Sequence, residues 1–190
     1  MILPIVAYGH PTLKKVGEEI GPDYEGLDEL IENMYETMYA SEGVGLAAPQ
    51  VNRSIRLFVI DANPYAEQHP ETAGFKMVFI NPYIIEESGE EWSFNEGCLS
   101  IPTIREDVLR KPGITLEYHD RDFKLVEEHF DGILARIIQH EYDHIEGRLF
   151  VERINPLRKV MIRRKLQDIS MGNVDVDYRM IFPNKPKKKK

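Results

Sequence analysis

The sequence predicts an α+β domain, with mainly antiparallel β-sheets packed around a central helix and a further helix towards each end. Three observations point there. Apolar residues recur at helical spacing in three segments, 25–41, 131–145 and 156–170. Between the first two lie several short β-rich or alternating runs. The resulting order, helix, several strands, helix and helix, suggests α+β.

The apolar start, M-I-L-P-I-V, reads as a first strand. In 25–41, Leu27, Leu30, Ile31, Met34 and Met38 fall on one face, and Gly43 is expected to stop the helix. Arg56–Ile60 and Met77–Ile80 are β-rich and bounded by Asn-Pro pairs. The segment between them, with Pro64, Pro70 and Gly74, reads as a long surface loop. Glu91–Asn95 and Gly113–His119 alternate like half-buried strands, and Lys124–Phe130 is a candidate for another. Asp131 is placed to cap the central helix, which ends before Gly147. Pro156 suits the first turn of the last helix, which ends before Gly172. The domain is expected to span 1–172, with 173–190 a tail disordered at its lysine-rich end.

The 190-residue chain is 42% hydrophobic and 29% charged, an ordinary globular composition for one domain. No apolar run approaches the length of a membrane span, and no secretory signal is evident, so a cytoplasmic protein is expected. The single cysteine, Cys98, rules out an internal disulfide and fits a reducing compartment. The net charge is −8, although five lysines crowd the last seven residues. An acidic body argues against a DNA-binding groove.

The stretch Q-H-E-Y-D-H, 139–144, carries the chemistry. Positions four apart share a helix face, so His140 and His144 can grip one metal ion. Glu141 lies about 100° from His140 and about 60° from His144 around the helix, near the ion without ligating it. A catalytic site of this kind takes three protein ligands and keeps one position open. The downstream routes to a third ligand are closed: position 150 is Phe, and the last helix has no Glu. Upstream lies E-G-C-L-S, 96–100. Alone, Cys98 reads as a small buried hydrophobe or as a nucleophile served by His140. Beside a two-histidine helix short of one ligand, the metal reading overtakes both. The rival functions are a zinc-type endopeptidase and a non-catalytic, ribosome-associated metal-binding module.

Three motifs, G-V-G-L-A-A-P-Q at 43–50, E-G-C-L-S at 96–100 and Q-H-E-Y-D-H at 139–144, resemble those of the peptide deformylases, in the same order and spacing. The likeness runs from I-L-P-I-V to G-R-L-F at 147–150. Departures fall outside the motifs: Glu146, the glycine-free R-D-F at 121–123, and the long 61–77 loop. The resemblance implies a hydrolase that removes the formyl group from N-terminal formyl-methionine. It implies Cys98, His140 and His144 as ligands of one divalent ion, natively Fe²⁺, with Zn²⁺, Ni²⁺ or Co²⁺ able to replace it. Glu141 is then general base and acid. The side-chain amide of Gln50 and the backbone N–H of Leu99 stabilise the oxyanion.

Gly43, Val44 and Gly45 are expected to offer an open backbone to an extended peptide. The dinucleotide reading of those glycines fails, because they follow a helix rather than a strand. Ile133, Arg136 and Ile137 share His140's face and are candidates for the methionine pocket, although both isoleucines also suit a core. Glu96 and Asp143 are expected to orient the site, with Arg105 or Arg110 as counter-charge. The basic run Arg158, Lys159, Arg163, Arg164 and Lys165, by position and charge, resembles a ribosome-docking helix, and a solvated face fits it equally.

Overall fold

The computed structural model describes residues 1–185. The strands are β1 (Ile5–Val6), β2 (Gly45–Ala47), β3 (Leu57–Asp61), β4 (Lys76–Ser88), β5 (Trp92–Cys98), β6 (Ile101–Arg110), β7 (Gly113–His119), β8 (Leu125–Asp131) and β9 (Met180–Ile181). The helices are α1 (Leu27–Ala40), α2 (Gly132–Ile145) and α3 (Pro156–Ser170). Five strands form one antiparallel sheet in the order β2-β3-β4-β7-β8. A separate antiparallel hairpin joins β5 to β6, and β1 pairs in parallel with β9.

The five-stranded sheet is apolar on both faces, and β3 shows why. Its alternate residues Phe58 and Ile60 pack with Ile133, Ala135 and Ile138 of α2. Leu57 and Val59 point the other way, towards Ile31, Met34 and Met38 of α1. A third apolar cluster joins Ile101, Ile104 and Val108 of the hairpin to Ile162, Leu166 and Ile169 of α3. Helix α2 thus lies between the sheet and the hairpin, its histidine-bearing face towards the hairpin.

Several elements differ from expectation for local reasons. Helix α1 ends at Ser41, and the left-handed residue behind it is Glu42 (φ 55°), not Gly43. Strand β4 does not stop at Asn81-Pro82. Asn81 takes φ 49° in a bulge and is held there because its side chain pairs with both N and O of Ile20. Pro102 sits in a register shift of the β5–β6 hairpin, which pairs again at Arg105. The 61–77 loop contains two short 3₁₀ turns, Asn63–Tyr65 and Pro70–Thr72, with Ala62 and Thr72 fully buried. Phe123 supplies the left-handed turn residue (φ 58°) where R-D-F lacks glycine. Asp131 stands at the N-cap of α2, but its side chain makes no capping bond. Beyond the expected boundary at 172, the chain returns to the body through β9, and 186–190 lie outside the described residues. No helix among the described residues is long and apolar enough to cross a membrane.

Candidate metal centre and cleft

The helical spacing read from Q-H-E-Y-D-H brings the rings of His140 and His144 edge to face, 5.2 Å apart, on α2. Cys98, at the end of β5, reaches the same point. Its Sγ lies 3.2 Å from His144 Nε2, and donor atoms of all three side chains fall within 4.8 Å of one another. The Nδ1 of His140 is engaged by Glu96 Oε2 at 2.9 Å, which leaves the other ring nitrogen for a ligand role. Two imidazoles and a thiolate suit a borderline divalent ion. The electrostatics fit as well. Burial alone raises the Cys98 thiol pKa, but His144 and His140 outweigh it and bring it down to about 5.

Glu141 is buried beside this cluster, and its Oε2 has no hydrogen-bond partner. Burial pushes its carboxyl up to about 7, against the opposing pull of His140 and His144. A Cβ at position 45 would come within 2.5 Å of Glu141 Oε1, so Gly45 is the residue that leaves room for this carboxylate. At position 43 a Cβ would meet Leu99 Cδ1 at 2.9 Å. Both glycines therefore admit side chains from across the cleft, a tighter reason than the open backbone expected of them. The open edge exists too, since β2 is an end strand of its sheet.

Gln50 is the third residue of the 3₁₀ turn Ala48–Val51 and is fixed from both ends of its side-chain amide. Its Oε1 accepts from Ala47 N at 2.9 Å, while its Nε2 lies 3.5 Å from Cys98 Sγ and donates to Ser100 Oγ at 3.3 Å. The amide NH₂ is thereby turned towards the cluster. Leu99 and Ser100 form the tight turn between β5 and β6, which sets the Leu99 backbone at the cleft wall.

Behind the histidines lies a buried ion network. Arg110 bridges Glu96 and Asp143, with three contacts of 2.7–3.0 Å. Arg136 adds a 3.0 Å bond to Glu96, and Arg153 holds both oxygens of Asp143 at 2.6 Å. Burial disfavours a charged Glu96, yet Arg110 and His140 hold its carboxyl well below the usual range. The counter-charge is thus Arg110, not Arg105, which binds Asn95 instead. Asp143 acts on the histidines only through Arg110 and Glu96.

The cluster opens into a cleft of about 570 Å³. Gly43, Val44, Gly45, Glu96, Arg136 and Ile137 line it, as the sequence suggested. Ile133 does not: it is 1% exposed and packed in the sheet-facing core, one turn too far along α2. The Arg136 guanidinium is also withdrawn from the cleft, bound to Glu96, Val108 O and Trp92 O. Sequence reasoning missed Tyr65, Phe94, Arg153 and the wall formed by 175–178. Only the last had a signal, the alternation V-D-V-D-Y-R-M at 174–180.

A sequence model of the polypeptide deformylase family matches residues 2–160. A peptide deformylase of Flavobacterium johnsoniae is 57% identical, over 96% of each chain, and one of Christiangramia forsetii is 53% identical over 98% of this chain and 99% of its own. Among solved structures, a Legionella pneumophila peptide deformylase superposes with TM-score 0.77 at 38% identity, covering 88% of this chain and 95% of its own. A class I type b enzyme from Acinetobacter baumannii, bound to Met-Ala-Ser, gives 0.74 at 36%, covering 81% and 99%. By sequence and by structure, the chain belongs to the polypeptide deformylase family.

Proposed function

We propose that the chain is a metal-dependent hydrolase that removes the formyl group from the N-terminal formyl-methionine of nascent polypeptides and releases formate. The observation that carries this reading is the thiolate–imidazole cluster with an unpartnered, buried Glu141 beside it at the head of a peptide-sized cleft. The chemistry a bound divalent ion supplies is Lewis acidity toward a formyl oxygen and a water. Fe²⁺ is the native ion in this reading, and the donor set also accepts Zn²⁺, Ni²⁺ or Co²⁺.

The chain's own residues do the rest. Cys98, His140 and His144 hold the ion, and Glu96 fixes the His140 ring. Glu141, raised towards neutrality by burial, takes a proton from water and returns it to the leaving amine. The Gln50 amide and the Leu99 N–H face the oxygen of the tetrahedral intermediate. The free edge of β2 at Val44 and Gly45 pairs with the peptide main chain, which gives sequence-tolerant binding. The methionine side chain enters beside Ile137. Met-Ala-Ser bound to the Acinetobacter baumannii relative supports a substrate that begins with methionine.

The reading extends to the cytoplasm and to the ribosome, where nascent chains emerge. Arg163, Arg164 and Lys165 are exposed on α3 and carry the ribosome-docking part, whereas Arg158 is paired with Glu106. The deciding test offers formyl-Met-Ala-Ser, its unformylated counterpart and an internal-bond peptide to the metal-loaded protein. Formate from the first alone is expected. Cleavage of the internal bond would favour the endopeptidase, and no turnover of any would favour the non-catalytic module.

A further inference from the structure

After α3 the chain does not leave the body. It turns at Gly172 (φ 77°) and runs back as a strap whose ends are tied down. At its start Asn173 N donates to Asp168 O at 2.8 Å, and at its far end Asn184 N donates to Ser170 O at 3.0 Å, so both ends close against the end of α3. Before that far end, Ile5 N donates to Arg179 O and Ala7 N to Ile181 O, each at 2.9 Å, in the β1–β9 pair. Between these ties, exposure alternates: Asn173, Asp175, Asp177 and Arg179 face solvent, while Val174, Val176, Tyr178 and Met180 are half-buried. Tyr178 and Met180 pack against the same apolar cluster as Leu99, Val174 and Met180 against the same cluster as Cys98, and Asp175 to Tyr178 form part of the cleft wall. The family match ends at residue 160, so this strap lies beyond it.

The phenol of Tyr178 donates to Leu99 O at 2.8 Å. One residue on, Ser100 O accepts from Tyr8 N at 2.8 Å, so the tight turn after Cys98 has both carbonyls held by groups outside the hairpin. A two-residue turn at a register shift has few bonds of its own to fix its peptide planes. The plane carrying Leu99 O and the plane carrying Leu99 N–H meet at one Cα. Fixing the first restricts the torsions that aim the second. Burial, with the nearby Cys98, raises the Tyr178 pKa, so the phenol keeps its donating proton at neutral pH.

We propose that Tyr178 is a positioning residue for the hydrolysis: through its bond to Leu99 O, the strap holds the Leu99 N–H aimed at the reacting carbonyl oxygen. This rests on the oxyanion role assigned to Leu99 above. Donors of that kind act through preorganisation, so a loosened turn lowers kcat more than it raises KM.

The test is Tyr178→Phe in the full-length, metal-loaded protein, which keeps the ring packing and removes only the hydroxyl. One neutral hydrogen bond corresponds to roughly a 2- to 12-fold fall in kcat, with KM changed less than about two-fold. Amide hydrogen exchange of Leu99 and Ser100, followed by NMR in the same protein, reads the turn directly and is expected to quicken. Unchanged exchange would overturn the hold itself. Quicker exchange with unchanged kcat would reduce the bond to a structural contact and overturn the catalytic inference. A wild-type protein that releases no formate would instead sink the deformylase reading, and that result needs no variant.

Discussion

Replacing Arg110 by methionine removes the charge at the centre of the network behind the histidines. The guanidinium donates through Nε to Glu96 at 2.7 Å, through Nη2 to Glu96 at 3.0 Å and through Nη1 to Asp143 at 2.7 Å. Its side chain is 1% exposed and those of both acids 4%, so solvent does not screen the loss. Deleting one member of a buried pair costs about 3–5 kcal/mol. Neither acid is orphaned, however. Glu96 keeps Arg136 and His140, and Asp143 keeps Arg153 at both oxygens. The low end follows, about 3 kcal/mol, or roughly 6–12 °C in Tm for a domain of this size. Arg153→Met gives the scale: that side chain is 37% exposed, and its removal is expected to cost about 1 kcal/mol or less. Urea unfolding should be run on both metal-free and metal-loaded protein, because a bound ion adds its own stabilisation. A loss below about 1 kcal/mol for Arg110→Met, or one equal to that of Arg153→Met, would refute the reasoning.

Glu141→Gln is expected to retain metal and lose about 10²–10⁴-fold in formate release, and near-normal turnover would remove its acid–base role. Cys98→Ser replaces a thiolate by a neutral hydroxyl and should weaken metal binding, while Cys98→Asp should shift metal preference; elemental analysis after dialysis reads both. Gly45→Ala brings a methyl within 2.5 Å of the Glu141 carboxylate, so turnover should fall with the fold intact by circular dichroism, and unaltered kinetics would show that the carboxylate moves freely. Reversing Arg163, Arg164 and Lys165 to Glu should abolish a weak, salt-sensitive cosedimentation with ribosomes while leaving turnover of a short peptide unchanged; cosedimentation that ignores the reversal would refute the docking reading.

What the sequence displayed was what local periodicity encodes. Two histidines four apart on one helix face, and the alternation of β7, are short-range patterns that survive in the fold. The meeting of Cys98 with those histidines is long-range, and it was legible only because the helix lacked a ligand that no downstream residue supplied. Proline and glycine misled where tertiary contacts override them. Asn81-Pro82 looked like a strand end, but the Asn81 side chain pairs with the backbone of Ile20 and keeps the strand going through a bulge. Gly43 looked like a helix stop, but Glu42 takes the left-handed turn, and Gly43 is small for the sake of Leu99.

The same limit applies to charge. Arg105 and Arg110 are equal candidates by type and both lie on β6, five residues apart, so strict alternation puts them on opposite faces of the strand. Arg110 is the one turned towards α2, where Glu96 and Asp143 wait; Arg105 turns to the open side and binds Asn95. Which face is inward depends on the register of β5 against β6, and that register shifts between Gly97 and Cys98. A shift of one residue in β6 would reverse the faces of the two arginines and strip Glu96, the partner of His140, of its Arg110 contacts. The turn after Cys98 therefore sets more than the place of a thiolate: it sets which arginine the site receives.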